Sequence, residues 1–195
     1  MLSVQKSVER FGAAMIPIFE NYAGYRPPRY AYRAIAQLLS RMPTHYLSGL
    51  QSVVLTSGSA IGKGKTGRVA GKKYARKECL GFYHPKLRGE QAWIEIVVDN
   101  IVAHWFAPGM LRFLAYIPPF RDMAFARTVY HEVGHHLDCT IGAPAPSGEA
   151  AAEAWMKKLG RAYFRRRYWY LVPFLGPVQT ISKWIIGNAG DGANN

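Results

Sequence analysis

The sequence predicts an α+β fold in which segments with strand patterns precede two long helices. Alternating apolar residues mark strand segments before residue 100, and helical segments follow after residue 120. With 195 residues, of which 49% are hydrophobic, the chain is long enough to bury a core. We expect a single domain over residues 1–187 and a polar, disordered tail over residues 188–195.

The N-terminal segment predicts two helices. Ser3–Asn21 has an amphipathic pattern, and Pro27-Pro28 ends that segment. A second helix is expected to follow, because Ile35, Leu38 and Leu39 recur at helical spacing on one face.

Two strands are predicted in the middle of the chain. Gly49–Ser57 (GLQSVVLTS) is rich in β-branched residues, and Ala92–Asp99 alternates between two faces. A glycine-containing turn at Lys86–Glu90 leads into the second strand, whereas Tyr74–Phe82 has no clear assignment.

Two further helices are predicted beyond Pro118-Pro119, which is expected to interrupt the chain. The first covers about Arg121–Asp138. A loop over Gly142–Ser147 then leads to a helix that extends to about Arg166, with Ser147 as the expected N-cap.

The first of these helices contains the motif His131-Glu132-Val133-Gly134-His135, which is HExxH. Residues i and i+4 lie on one helical face, so His131 and His135 can bind one metal ion. Glu132 is offset by about 100°, which places its carboxylate beside the metal, where it can take a proton from a water. Two histidine ligands and an open position are typical of catalytic zinc.

A third ligand is expected downstream. The extended pattern HExxHxxGxxH is excluded, because Asp138 and Ile141 stand where glycine and histidine are needed. Glu149 and Glu153 are the remaining candidates, and at i and i+4 they share a face of the last helix. One carboxylate is expected to bind the metal and the other to hydrogen bond with a ligand histidine.

These motifs resemble those of the gluzincin metallopeptidases, and most closely the catalytic domain of the anthrax lethal factor type. In that family an HExxH helix continuing to an aspartate precedes a helix of the form E-x-x-x-E-A-aromatic. The resemblance implies a small mixed sheet, with His131, His135 and Glu149 as zinc ligands and Glu132 as general base. It also implies that Glu153 supports the ligands from outside the coordination sphere. The tyrosine that the lethal factor type places shortly before its ligand glutamate has no counterpart near Gly142 in this chain.

The resemblance extends upstream. A Gly-x-Tyr turn and a strand commonly precede the active-site helix in zincins, and here they correspond to Gly81–Tyr83 and Ala92–Asp99. The edge of that strand is expected to line the cleft, where an extended peptide could add through main-chain hydrogen bonds.

The remaining candidates for chemistry are weaker. Gly58–Thr66 resembles a phosphate-binding loop, but Ser59 occupies the position of its first glycine. Cys79 and Cys139 lack metal-binding spacing and are expected to be free thiols in a reducing compartment, with a single disulfide as the alternative. His45, His84 and His104 are expected to be core or surface histidines and not ligands, and His136 is expected to point away from the metal face.

The net charge of +13 is concentrated in two basic clusters, over residues 63–88 and 157–167. Such clusters attract nucleic acid, anionic lipid or an acidic substrate. The apolar stretch over residues 168–186 is broken by prolines. It predicts either a final helix of the domain or a segment at a membrane surface. Without a recognisable export signal, we expect a cytoplasmic protein that could associate peripherally with membranes.

We therefore predict a zinc-dependent metallopeptidase that hydrolyses peptide bonds. The alternative is a non-catalytic zincin-like protein whose basic face binds nucleic acid or anionic lipid. The intact Glu132 favours the enzyme, because a structural zinc site needs no free carboxylate.

Overall fold

A computed structural model describes residues 16–61, 66–69, 72–75, 78–87, 89–106, 110–142 and 147–171. The pattern of contacts within the chain divides it into two compact units, Met1–Gly160 and Arg161–Asn195. Every predicted site residue lies in the first unit. The predicted domain boundary at residue 187, the tail beyond it and the apolar segment from residue 172 fall outside the described residues.

The predicted α+β fold is confirmed, with a small mixed sheet and helices packed against it. The strands are β1 (Ile18–Asn21), β2 (Leu50–Thr56), β3 (Thr66–Val69), β4 (Lys72–Ala75), β5 (Gly81–His84) and β6 (Ala92–Val97). The helices are α1 (Arg29–Ser40), α2 (Val98–Trp105), α3 (Pro118–Thr140) and α4 (Glu149–Arg167). Short 3-10 helices cover Thr44–Leu47, Met110–Tyr116 and Trp169–Leu171.

The main sheet has the order β1-β2-β6-β5. β1 and β6 both pair with β2 in parallel, whereas β5 pairs with β6 antiparallel and forms an edge of the sheet. β3 and β4 form a separate antiparallel hairpin. Since β6 has partners on both sides, the expected Ala92–Asp99 segment lies inside the sheet, and β1 and β5 are its edge strands.

Helix α3 is the central helix of the fold. It packs against α1, β5 and β6, and its fully buried side chains include Phe125, Val133 and Leu137. The opposing sheet contributes buried aliphatic residues such as Leu55 and Ile96. Burial of apolar surface stabilises a fold by about 25 cal/mol per Å², so these side chains hold α3 in place along its length. The side chains on its remaining face are thereby held at a fixed position beside β5.

The N-terminal prediction was wrong where it can be compared. Residues 18–21 of the expected helix Ser3–Asn21 form β1, and residues 1–15 lie outside the described part. Pro17 is poorly suited to a helix interior, and its carbonyl oxygen accepts a hydrogen bond from Val53 N–H at 3.0 Å. Pairing with β2 therefore determines the conformation of this segment.

Three element boundaries also differ from the predictions. Val98 and Asp99 begin α2 instead of ending β6, and both carboxylate oxygens of Asp99 accept the Gly58 N–H at 3.0 Å. Pro118-Pro119 does not interrupt the chain but opens α3, where the first N–H groups need no helical partner. Ser147 does not directly precede α4, because Gly148, with φ of +88°, stands between them.

Candidate metal centre

Helix α3 presents His131 and His135 on one face, as the sequence predicts. Their ring centroids are 4.9 Å apart, and the rings are nearly perpendicular. Both side chains are about three quarters buried, with exposures of 25% and 22%. Burial and the neighbouring His131 lower the pKa of His135, which favours the neutral imidazole that binds metals.

Glu149, the first residue of α4, faces both histidines. Its carboxylate oxygens lie 3.3 Å from His131 Nε2 and 3.6 Å from His135 Nε2. One donor atom from each of the three residues lies within 4.8 Å of the other two. The structure therefore brings together the three residues that the sequence suggested as ligands.

The spacing of these donors fits a small tetrahedral cation. With metal–ligand bonds of 2.0–2.2 Å, neighbouring donors around zinc are roughly 3.4 Å apart. The distance from His131 Nε2 to Glu149 Oε2, 3.3 Å, is close to that value, and the 3.6 Å from His135 Nε2 is measured to the other carboxylate oxygen, Oε1. Two imidazole nitrogens and a carboxylate also match the ligand preferences of zinc, so both the geometry and the chemistry of the set suit it.

Helix α4 reaches this position through a close contact with α3. A Cβ atom added at Gly134 would lie 2.6 Å from the carbonyl oxygen of Ala152 and 2.8 Å from its Cα. These are backbone atoms of α4, so only glycine permits this approach. Glycine at this variable position of HExxH thus lets α4 come close enough for Glu149 to reach the two histidines.

A hydrogen bond fixes the start of α4. Asp138, three residues after His135, accepts the Gly148 N–H through Oδ2 at 2.7 Å. Gly148 directly precedes Glu149, so this bond ties the backbone next to the third donor back to α3. Asp138 was part of the resemblance seen in the sequence. Its contact with Gly148 could not be predicted without the structure.

Glu132 lies in the same cavity, almost completely buried at 7% exposure. Burial, and secondly the charge of Glu149, raises the pKa of the Glu132 carboxyl to about 8, whereas a hydrogen bond with the Tyr83 backbone acts in the opposite direction. The charged form is therefore disfavoured unless a positive charge is close.

The edge strand β5 packs directly over Glu132. A Cβ atom at Gly81 would come within 2.9 Å of Glu132 Cγ and of Thr128 Cγ2. The predicted Gly-x-Tyr turn is in fact part of this strand, and its glycine makes room for the buried carboxyl. The Tyr83 backbone, two residues on, supplies the hydrogen bond to the carboxyl group.

The cavity at this site has a volume of about 470 Å³. Besides the donors it is bordered by β5 and by residues of α3 and α4, including Arg127, Thr128 and Met156. Thr128 is 4% exposed, and its hydroxyl has no hydrogen-bond partner among the described residues. The sequence reasoning missed Arg127, although its position one turn before His131 places it on the same helical face.

Glu153 also borders the cavity, as its spacing from Glu149 suggests. Its Oε1 lies 3.1 Å from Lys157 Nζ, and both side chains are about half exposed. The expected hydrogen bond from Glu153 to a ligand histidine stays a prediction.

The other histidines lie outside the donor set. His136 is buried and points away from the metal face, as expected, with Nε2 3.0 Å from Ser48 O and Nδ1 3.3 Å from Tyr83 Oη. His84 stacks on Trp93 at 3.7 Å. Cys79 and Cys139 are reduced thiols that form no disulfide, as predicted.

The basic clusters are described only in part. Residues 62–65 of the loop that resembles a phosphate-binding motif lie outside the described residues, as do several basic residues near them. In the second cluster Lys157 pairs with Glu153, and Lys158 lies over the Trp155 ring at 4.3 Å. Within the part of the chain that is described, no helix has the length and apolar character needed to cross a membrane.

Comparison with known proteins adds no family assignment. The sequence matches no family model, and no significant match was found among curated proteins or solved structures. The resemblance to the gluzincins therefore stays a prediction.

Proposed function

We propose that this protein is a zinc-dependent metallopeptidase of the gluzincin type. The observation that supports the proposal most strongly is the convergence of His131, His135 and Glu149 beside the buried carboxyl of Glu132. Two histidines and a glutamate form one of the ligand sets of catalytic zinc. A purely structural zinc site would not need the buried carboxyl of Glu132.

Each residue then has a distinct role. Zinc held by the three donors would polarise the scissile carbonyl and lower the pKa of a coordinated water towards about 7. Glu132 accepts a proton from the attacking water and passes it to the leaving amine. The hydrogen bond with the Tyr83 backbone holds the Glu132 carboxyl in place for both transfers.

The edge of β5 offers a main-chain surface for a peptide substrate. Val97 N–H donates to Leu80 C=O at 2.8 Å, which makes this a hydrogen-bonded pair of the antiparallel ladder. The alternation of such ladders pairs Phe82 with β6 and turns the main-chain groups of Gly81 and Tyr83 outward. The Tyr83 N–H already donates to Glu132, so an extended peptide can bind the main-chain groups of Gly81 and the Tyr83 carbonyl beside the donor set.

Metal analysis combined with a peptidase assay tests the proposal. Purified protein is expected to contain about one zinc per chain, and this zinc is lost in His131→Ala and His135→Ala. Glu132→Gln keeps both imidazoles, so it retains zinc while hydrolysis falls by orders of magnitude. His45→Ala is the matched control, because His45 is exposed and lies outside the cavity lining. Unmutated protein with zinc content near zero would refute the proposal.

The net charge of +13 supports a second candidate, a non-catalytic zincin-like protein that binds an anionic surface. Under this alternative the metal is structural or vestigial, the protein cleaves no peptide, and Glu132→Gln leaves binding to the anionic surface unchanged. Liposome flotation tests the lipid version and the proposed peripheral association, since anionic vesicles are bound at low salt and released as the salt concentration rises.

A further inference from the structure

We propose that the cavity recognises a carboxylate of its substrate, and that Arg127 is the residue that selects it. This inference rests on the proposed peptidase function, because it concerns the same cavity. The carboxylate can belong to an acidic side chain or to the C-terminus of a peptide. Recognition by charge would make acidic peptides the preferred substrate class.

Arg127 is placed to make such a contact. It is exposed, it borders the cavity, and it lies one helical turn before His131 on α3. Its guanidinium carbon lies 5.8 Å from the ring centroid of Trp105, the last residue of α2. This cation–π contact restrains the side chain, which reduces the entropy that Arg127 would lose on binding a carboxylate.

The charge of Arg127 is not balanced by a neighbouring carboxylate within the described residues. The cavity also contains three acidic residues, but each has another positive partner available. Lys157 neutralises Glu153. A divalent cation at the donor set would balance Glu149 and Glu132. Arg127 is then the one charged group of the described lining that has no counterion of its own.

Equilibrium binding isolates this contribution from the general attraction of a basic protein for acidic peptides. Zinc-loaded Glu132→Gln protein serves as the receptor, because it is expected to bind peptides without cleaving them. The probes are end-capped octapeptides with an uncharged dye and otherwise uncharged residues, in which a single glutamate is moved along the sequence. Each is compared with counterparts that have glutamine or lysine at the same position. A further pair carries either a free C-terminal carboxylate or an amide.

We expect the preferred glutamate peptide to bind about two- to fivefold more tightly than its glutamine counterpart at low salt, as for a solvent-accessible ion pair. Adding Arg127→Gln should abolish this preference, and Arg127→Glu should reverse it in favour of a lysine peptide. Arg33→Gln is the matched control, because Arg33 is exposed on α1 and does not line the cavity. It removes the same charge and should leave the preference in place.

The internal-glutamate peptides and the pair with a free or amidated C-terminus together identify the source of the carboxylate. An Arg127-dependent preference for internal glutamate assigns the contact to a side chain, and one for the free terminus assigns it to the end of the peptide. Equal losses in Arg127→Gln and Arg33→Gln would overturn the inference, as would a failure of every peptide to bind.

A parallel cleavage assay with the unmutated protein separates this inference from the proposed function. Arg127-dependent binding without cleavage supports the carboxylate site and refutes the peptidase. Cleavage without any difference between glutamate and glutamine peptides supports the peptidase and refutes the carboxylate site.

Discussion

Gly134→Ala provides the most specific test of how the fold builds the metal centre. The added Cβ would fall short of an ordinary contact distance of 3.4 Å by 0.8 Å at the Ala152 oxygen and by 0.6 Å at its Cα. Both atoms belong to the backbone of α4, so no side-chain rotation relieves the clash. Helix α4 must therefore move away from α3 by a similar distance, and Glu149 at its start moves with it.

The energetic consequences have two opposing parts. Overpacking at a close helix–helix contact costs about 1–3 kcal/mol. Alanine gains about 1 kcal/mol over glycine in a helix interior, which offsets part of that cost. We expect the metal-free variant to lose roughly 0–2 kcal/mol of unfolding free energy.

The effect on the metal should be larger than the effect on stability. Metal–ligand distances in protein sites are expected to lie within about 0.2 Å of their usual values, which is several times smaller than the shift that Gly134→Ala imposes. We expect zinc to bind on the order of 10–100-fold more weakly, a loss comparable to that caused by removing a group that orients a ligand. Competition with a chromophoric chelator measures this affinity, and urea denaturation of the chelator-treated protein measures the stability.

Gly160→Ala is the matched control, because Gly160 is also helical but has no atom within 4 Å of the added Cβ. It should gain about 0.5–1 kcal/mol from helix propensity and leave the zinc affinity unchanged. If Gly134→Ala is stabilised as much as Gly160→Ala and binds zinc as tightly as the unmutated protein, the close contact does not position the third ligand.

Three further predictions concern the acidic residues of the site. Glu149→Ala should lose most of the bound zinc, whereas Glu153→Ala should weaken binding by about 10–100-fold, and chelator competition would show the reverse ranking if Glu153 is the ligand. Asp138→Asn removes the charged acceptor of the Gly148 N–H and should lower zinc affinity by about tenfold while leaving both histidines in place; unchanged affinity would show that the bond is dispensable. In metal-free protein the raised pKa of Glu132 means that the folded state keeps its proton while the unfolded chain releases it. Urea-derived stability should therefore fall by up to roughly 4–5 kcal/mol as pH rises from about 4.5 to about 8, and the Glu132→Gln variant should lack this decline.

The site could be predicted from sequence to the extent that it depends on helical periodicity. The i, i+4 spacing places His131 and His135 together whatever the surrounding fold, and Glu149 begins the next helix after a short link. What the spacing could not supply was the distance between the helices. That distance is determined by Gly134 against Ala152, a contact between residues 18 positions apart.

The errors share a physical cause, which is that pairing across the sheet outweighs local pattern. Ile18–Asn21 has a helical pattern but forms a parallel ladder with β2, whose sequence begins 29 residues later. Val98 continues the alternation of β6, yet Asp99 binds the Gly58 N–H and the chain turns into α2. Arg127 was missed for a related reason, because only the packing of α2 against α3 brings Trp105 beneath its guanidinium.

The electrostatics of the cluster support the proposed metal site. Taken alone, the arrangement is unfavourable: Glu132 is buried close to the negative Glu149, and burial together with His131 disfavours protonation of His135. An ordinary core helix would have an apolar residue at position 132, where the side chain is almost inaccessible to solvent. A divalent cation removes both difficulties, because it attracts the carboxylates and requires neutral imidazoles. Positions where a sequence breaks the rules of core composition are expected at functional sites, and Glu132 is such a position.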